Sequence, residues 1–365
     1  MKHIVYAYNY LTLFKSLIYA DKVWGNENTI VIYTTFISDP PRGIENSKCK
    51  VWVCTMQGNQ CYSRGKIGYL ADIFNEKAVA KSIFQCIIRL VSNGKFNFIV
   101  FRDRLIEDTL LIKMVKRRYP NTNITLLEEG LGLYGSSSIR NSNRFKTIAK
   151  MIIHILLNVP LFPLLDYPLG SYPLVDEIIC RKPELIKDRK ELSQKKLVKE
   201  IEVFKKANCQ YLINEIAGIS IPRMKYDYVF LSQPLFPKNN ENDNRKYKEW
   251  LKLILSIASE KGKVLIKPHP KDKWKYTEYT NERINICDSE LTDCPFECIV
   301  GYYGNPQTIT IYSSAGCSVD TGKPNIFLYD MFPNIVPNDM FEPDFVRNNN
   351  IIRCSIIQEF RNALV

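Results

Sequence analysis

Three short runs of the chain set reactive side chains directly after strand-like apolar segments. The first is Leu126-Leu127-Glu128-Glu129-Gly130-Leu131-Gly132. Repulsion between neighbouring carboxylates raises the proton affinity of one of them, which suits a general base that takes a proton from a hydroxyl group. An acidic loop or a helix cap is the structural alternative. The second is Val264-Leu265-Ile266-Lys267-Pro268-His269-Pro270, where two prolines stiffen the turn that follows a strand. A rigidly held His beside a Lys can hydrogen-bond a departing phosphate, offset its charge or protonate it. The chain has 3 histidines; His3, in or beside the first strand, and His154, in an apolar segment, read as packing residues. The third run is Thr310-Ile311-Tyr312-Ser313-Ser314-Ala315-Gly316. Hydroxyls followed by small residues can open a helix whose free N–H groups cradle a phosphate, although an isolated Ser-Ser pair is mostly a cap.

The elements that must position these runs alternate between strand and helix patterns. In the first part His3–Ala7, Thr29–Thr34, Phe96–Phe101 and Asn123–Leu127 read as buried strands, with helices over Leu11–Ala20 and Leu105–Arg118. After a charged stretch, Pro183–Ala207, read as an amphipathic helix, strands resume at Asp227–Leu231, Val264–Lys267, Arg283–Cys287, Thr308–Tyr312 and Asn325–Tyr329. A helix spans Tyr247–Ser259, and Asn239–Asn244 reads as a mobile polar loop. Such alternation implies parallel sheets covered on both faces, with ligands at the carboxyl ends of the strands. The expected boundary is the loop near Gly218–Lys225, which gives one domain over 1–217 and a second over 218–365. The expected fold class is α/β, two Rossmann-like domains facing across a cleft, the architecture called GT-B.

Bulk properties agree with this reading. A chain of 365 residues exceeds what one core usually organises. With 45% hydrophobic and 24% charged residues it has the balance of a globular protein. A net charge of +12 favours nucleic acid, anionic membrane or phosphorylated small molecules, but no nucleic-acid-binding motif accompanies the dispersed lysines, so nucleic acid is not an expected partner. The 11 cysteines are odd in number, many inside apolar runs, and read as reduced thiols of a cytoplasmic protein. Cys294 and Cys298 have no second Cys or His pair nearby to complete a zinc site. The opening Met1-Lys2-His3-Ile4-Val5-Tyr6 enters a strand directly, so no signal peptide is expected. The apolar stretch Ile148–Leu165 follows Arg140, Arg144, Lys146 and Lys150 and is broken by Pro160 and Pro163. It is too short for a comfortable membrane span, which leaves a buried helix, a homodimer contact, or a peripheral contact with the anionic inner face of the plasma membrane.

Taken in order, Glu128-Glu129-Gly130, His269-Pro270 and Ser313-Ser314 resemble the motifs of bacterial sialyltransferases of glycosyltransferase family 52. More distantly the chain is similar to bacterial polysialyltransferases. The resemblance runs from the opening strand through Ser232-Gln233-Pro234-Leu235 and Pro295-Phe296-Glu297 to the region after Ser314. It implies an inverting glycosyltransferase that moves sialic acid from CMP-sialic acid to a terminal sugar, galactose by expectation, of a surface glycan such as lipooligosaccharide, O-antigen or capsule. It further implies that His269 meets the donor phosphate, that Ser313 and Ser314 bind it, and that Glu129 or Glu128 is the general base. Asp243, with Glu241 beside it, is the alternative base on the loop after Gln233-Pro234-Leu235. Glu297 would accept hydrogen bonds from the ribose. Lys267, with His269 and the serine-capped helix, would offset the charge growing on CMP, so neither a metal nor another cofactor is expected. Two rivals remain at this stage: a glucosyl- or CDP-glycerol-type transferase of the same architecture, and a non-catalytic protein that binds glycans or nucleotides.

Overall fold

The structure is a computed structural model and describes residues 1–35, 38–55, 66–91, 95–134, 144–165, 167–235, 241–318, 321–332, 346 and 350–365. It divides into two compact units, Met1–Val203 and Phe204–Val365. The first is built on a parallel sheet of seven strands in the order β3-β2-β1-β4-β5-β6-β7. These are β1 Lys2–Ala7, β2 Thr29–Thr34, β3 Lys50–Cys54, β4 Phe96–Val100, β5 Asn123–Leu127, β6 Glu177–Cys180 and β7 Lys196–Lys199. The order reverses between β1 and β4, the topological switch at which open parallel sheets leave a crevice beyond their carboxyl ends. The sheet is buried on both faces, so its central strands read as continuous apolar runs rather than alternating ones; Ile4, Val5, Val31, Ile32, Phe98 and Ile124 are fully buried.

Helices α1 Tyr10–Tyr19, α2 Lys66–Leu90, α3 Ile106–Arg118 and α4 Arg144–Leu156 belong to this unit. Asn9 caps α1: its side chain accepts from Thr12 N at 2.8 Å, while Thr12 Oγ1 accepts from Asn9 N at 3.2 Å. This reciprocal cap fixes where β1 ends and the helix starts.

The stretch 183–207, expected to be one helix, is not. It holds two short 3-10 turns, Pro183–Leu185 and Lys190–Leu192, then β7, and the next helix starts at Lys206. Leu197 and Val198 pair with Ile178 and Ile179 of β6, and Lys196 forms an ion pair with Glu177 at 2.7 Å. Four-residue strands with charged ends satisfy helical spacing as easily as strand alternation.

The second unit carries six parallel strands in the order β10-β9-β8-β11-β12-β13. They are β8 Tyr228–Leu231, β9 Val264–Lys267, β10 Ile284–Ile286, β11 Gln307–Thr310, β12 Asn325–Phe327 and β13 Ile351–Arg353. Its helices include α5 Lys206–Tyr211, α6 Glu241–Lys261, α7 Phe296–Ile299 and α8 Ala315–Ser318. The division at Val203 and Phe204 corrects the expected boundary at 217 and 218. The reason is packing: α5 lies against α7, with the Cys209 thiol 3.7 Å from the Glu297 carbonyl, so this segment joins the second core. The polar run expected to be a loop over 239–244 is also corrected from Glu241 onward, where Glu241 and Asp243 occupy the first turn of α6 and complement its dipole. Asn239 and Asn240 lie outside the described residues.

Candidate active site

In the first unit, residues just past neighbouring strands converge on the acid pair at the end of β5. Glu128 and Glu129 go to different partners, as successive side chains of an extended chain must. Glu128 is buried, at 1% exposure. Its carboxylate accepts from Arg181 Nε at 2.5 Å, Arg181 N at 2.8 Å and the Tyr134 hydroxyl at 2.5 Å. Its backbone carbonyl accepts from Lys15 Nζ at 2.6 Å, and Lys15 also pairs with buried Glu200 at 2.7 Å. Two buried acids are thus matched by two cations, an arrangement in which every charge is needed. Burial pushes the Glu200 carboxyl up, and Lys15 opposes that shift.

Glu129 is half-buried. One oxygen accepts from the Tyr8 hydroxyl, and the other from Asn9 Nδ2 at 2.9 Å. Asn9 therefore does two jobs with one amide: its oxygen caps α1 and its nitrogen steadies Glu129. The Tyr8 ring is held in turn by the Arg102 guanidinium, 3.7 Å from its centroid, and Arg102 is anchored on Glu107 and Asp108. Burial drives the Tyr8 hydroxyl well above its ordinary range, so it stays protonated and donates. A carboxylate fixed from two sides, yet short of full burial, can accept a proton from a hydroxyl brought to it.

In the second unit, the loop after β9 and the last residue of β11 both fasten onto the end of β8, which lies between the two strands. His269 N donates to Ser232 Oγ at 2.9 Å, and Thr310 Oγ1 donates to the Leu231 carbonyl at 2.9 Å. Pro270 is the second residue of a turn closed by Asp272 N and the His269 carbonyl at 2.8 Å, the position where proline's fixed φ is favourable. Asp272 locks that turn by accepting from Ser232 Oγ at 2.5 Å, Tyr276 Oη at 2.7 Å and Trp274 N at 3.0 Å. His269 Nδ1 accepts from Lys271 N at 3.1 Å, which assigns the proton of the neutral ring to Nε2. Burial, with Lys267 and Lys271 nearby, pushes His269 down to about 4. At neutral pH it is an uncharged ring offering one N–H.

The remaining expected residues fall as follows. Lys267 is buried and its Nζ donates to the Thr292 carbonyl at 2.6 Å; burial lowers its pKa. Its charge therefore acts from behind the His269 turn, and its hydrogen bond tethers the segment leading to α7. Glu297 is buried in the first turn of α7. Ser313 N donates to Thr310 Oγ1 at 2.9 Å, and Ser313 Oγ accepts from Ala315 N at 3.3 Å, so this hydroxyl closes the entry to α8. Ser314 is half-buried beside it. Gly316 lets α8 sit close to the sheet, since an added Cβ would stand 3.0 Å from Thr308 Oγ1. Gly130 follows the acid pair at the end of β5, and Asp243 lies half-buried in the first turn of α6, in the other unit from Glu129. Among the described residues no group of three His, Cys, Asp or Glu side chains is placed to hold a metal ion.

The family model described as alpha-2,8-polysialyltransferase (POLYST) matches residues 72–315, more than half of the chain. The chain belongs to that family. The match includes the acid pair, the His-Pro turn and the serine pair, and it falls on the group that the motifs had suggested as the more distant resemblance; it does not assign the chain to family 52. No curated protein matches the sequence. Among solved structures, an α/β-galactoside α-2,3-sialyltransferase from Photobacterium phosphoreum is similar with a TM-score of 0.55 at 11% identity, over 97% of this chain and 98% of that one. The UDP-GlcNAc 2-epimerase of Methanocaldococcus jannaschii gives 0.50 at 11%, over 100% and 93%. A UDP-glucosyltransferase from Polygonum tinctorium gives 0.50 at 9%, over 99% and 88%. With the two parallel sheets, these likenesses show the GT-B fold of two Rossmann-like domains, and the family makes the protein a glycosyltransferase.

Several groups around the motifs escape a motif search: Tyr8, Asn9, Arg102 and Arg181 in one unit and Asp272 in the other, while Ser232 belongs to the resembling Ser232-Gln233-Pro234-Leu235 stretch but had no role given to it. Their common signal is position, since all but Asp272 stand within two residues of a strand's carboxyl end. Asp272→Ala leaves Ser232, Tyr276 and the Trp274 N–H without their acceptor. We expect it to cost about 1.5–3 kcal/mol, read as a lower denaturation midpoint with an unchanged slope.

Proposed function

We propose that this member of the polysialyltransferase family transfers sialic acid from CMP-sialic acid to a hydroxyl of a bacterial surface glycan, inverting the anomeric carbon. The observation that carries this reading is Glu129, a half-buried carboxylate steadied by Tyr8 and Asn9 at the carboxyl end of the first sheet. Glu128 is committed to Arg181, which favours Glu129 as the base. Asp243 is the second candidate.

In the proposed step Glu129 takes the acceptor hydroxyl's proton as the oxygen bonds to the anomeric carbon. The bond from that carbon to the CMP phosphate oxygen breaks, and its electron pair leaves with CMP. His269 donates its Nε2–H to the phosphate, Ser313 and Ser314 add hydroxyl or backbone donors, and Lys267 contributes charge from below. Glu297 accepts from the ribose hydroxyls. No metal takes part in this step. Free thiols at the described cysteines suit a cytoplasmic site.

The test is turnover with a panel of CMP-sialic acid, UDP-glucose and CDP-glycerol, offered with galactose-terminated and sialic acid-terminated oligosaccharides and read by mass spectrometry. The family description favours the sialic acid-terminated acceptor; galactose is the alternative that the motif resemblance implies. Expected is a mass gain of one or more sialic acids from CMP-sialic acid alone, unchanged by EDTA. Transfer from UDP- or CDP-donors, or turnover lost in EDTA and restored by manganese, would count against the reading.

A further inference from the structure

Next to Tyr8 lies a buried set of charges for which the proposed step has no use. Arg102, two residues past β4, turns the edge of its guanidinium to α3: Nη2 donates to Glu107 and, at 3.4 Å, to Asp108, and Nε lies 3.3 Å from Asp108. Both carboxylates are 1% exposed. From α2, Glu76 accepts from the backbone N–H groups of Ile106 and Glu107 at 2.9 and 3.3 Å, which caps α3 where its own N-cap, Leu105, supplies no side-chain bond. The Tyr6 hydroxyl of β1 donates to Glu107 at 3.4 Å. β1, α2 and α3 thus meet around one guanidinium. Burial pushes Glu76 and Glu107 up and Asp108 up to about 7, and Arg102 opposes each shift.

Packing alone does not account for so many acids, since apolar side chains of the same volume would fill this place at less electrostatic cost. What the charges fix is the guanidinium. With its edge held by α3, its Cζ stands 3.7 Å over the centre of the Tyr8 ring, and the Phe101 ring stands perpendicular to Tyr8 with 6.5 Å between centres. The Tyr8 hydroxyl donates to Glu129; burial raises that hydroxyl, and Arg102 opposes the rise. Tyr8 follows β1 and Arg102 follows β4, the strands between which the sheet order reverses, so their contact joins the two sides of the topological switch. We infer that Arg102 is a positioning residue for the reaction: locked by Glu107 and Asp108, it fixes the Tyr8 ring, and through the Tyr8 hydroxyl it holds the Glu129 carboxylate where the acceptor's proton is taken. The inference rests on Glu129 being the base.

The experiment is a double-mutant cycle on Arg102→Lys and Tyr8→Phe in the full chain, read as CMP released from CMP-sialic acid with a sialic acid-terminated oligosaccharide, below each variant's melting temperature. Lysine keeps a cation for Glu107 and Asp108 but loses the planar fork; phenylalanine keeps the ring under the guanidinium but loses the bond to Glu129. Each single variant is expected to lose roughly tenfold in kcat with KM for the donor unchanged, and the double variant to lose no more than about twofold beyond Tyr8→Phe alone. Asp108→Asn, which loosens the anchor and leaves Arg102 in place, is expected to lose less than Arg102→Lys, and likewise only while the Tyr8 hydroxyl is present. With Glu129→Gln impaired, losses that multiply in the double variant, a rise in KM at constant kcat, or full activity in Arg102→Lys overturn the inference alone. Full activity in Glu129→Gln removes the base and the inference together.

Discussion

Glu129→Gln is expected to lower turnover by roughly 10²–10⁴-fold with CMP binding and melting temperature unchanged, whereas Glu128→Gln is expected to unfold the first unit more readily. The two residues are adjacent and chemically identical, so the contrast tests their surroundings. Glutamine at 129 can keep its carbonyl oxygen toward Asn9 Nδ2 and turn its amide N–H₂ toward the Tyr8 hydroxyl oxygen, which can accept, but it cannot take a proton. At 128 it removes the buried carboxylate that the Arg181 guanidinium meets at 2.5 Å and that also accepts from the Tyr134 hydroxyl. Breaking a buried pair on one side costs about 3–5 kcal/mol. Initial rates and thermal melts of both variants decide the matter. Comparable loss of turnover in both with neither destabilised would refute the division of labour, and full activity in Glu129→Gln would move the base to Asp243.

The same pair shows how much of the molecule was legible in its sequence. That a carboxylate after β5 and an imidazole after β9 would be singled out follows from residue type and from their place at strand ends. The strands β1, β2, β4, β5 and β9 were legible because sheets covered on both faces require continuous apolar runs, and theirs are interrupted little. Strands β6 and β7 are four residues long each, and their apolar positions fit a helix equally well. Which glutamate is structural was illegible because the answer lies in Arg181 and Lys15, residues 53 and 113 positions away in the chain. Sequence adjacency made the two acids look like one motif; the third dimension gives them separate partners.

Distance in sequence also hides how His269 is prepared, and that preparation sets the second large effect. Its turn is held by Ser232 and Asp272, its Nδ1 is occupied by Lys271 N–H, and its pKa lies at about 4. It therefore enters the reaction as a neutral donor of one hydrogen bond. Removing one preorganised donor from a developing anion costs roughly 10²–10³ in kcat. His269→Ala is expected to lose that much in steady-state CMP release, and His269→Gln, whose amide can still donate, to lose less. If the imidazole acted as a proton donor instead, alanine and glutamine would be equally damaging. A second readout is independent of turnover. A histidine whose folded pKa is depressed binds protons more weakly than in the unfolded chain, where it titrates near 6.5. Its contribution to stability is complete above that value and is lost as pH falls from about 6.5 toward about 4. Chemical denaturation at pH 7 and pH 5 should show the wild type losing ground to His269→Gln on acidification. A stability difference that stays flat over that interval would mean that the ring is not held neutral by its surroundings, and the hydrogen-bond role would fall with it.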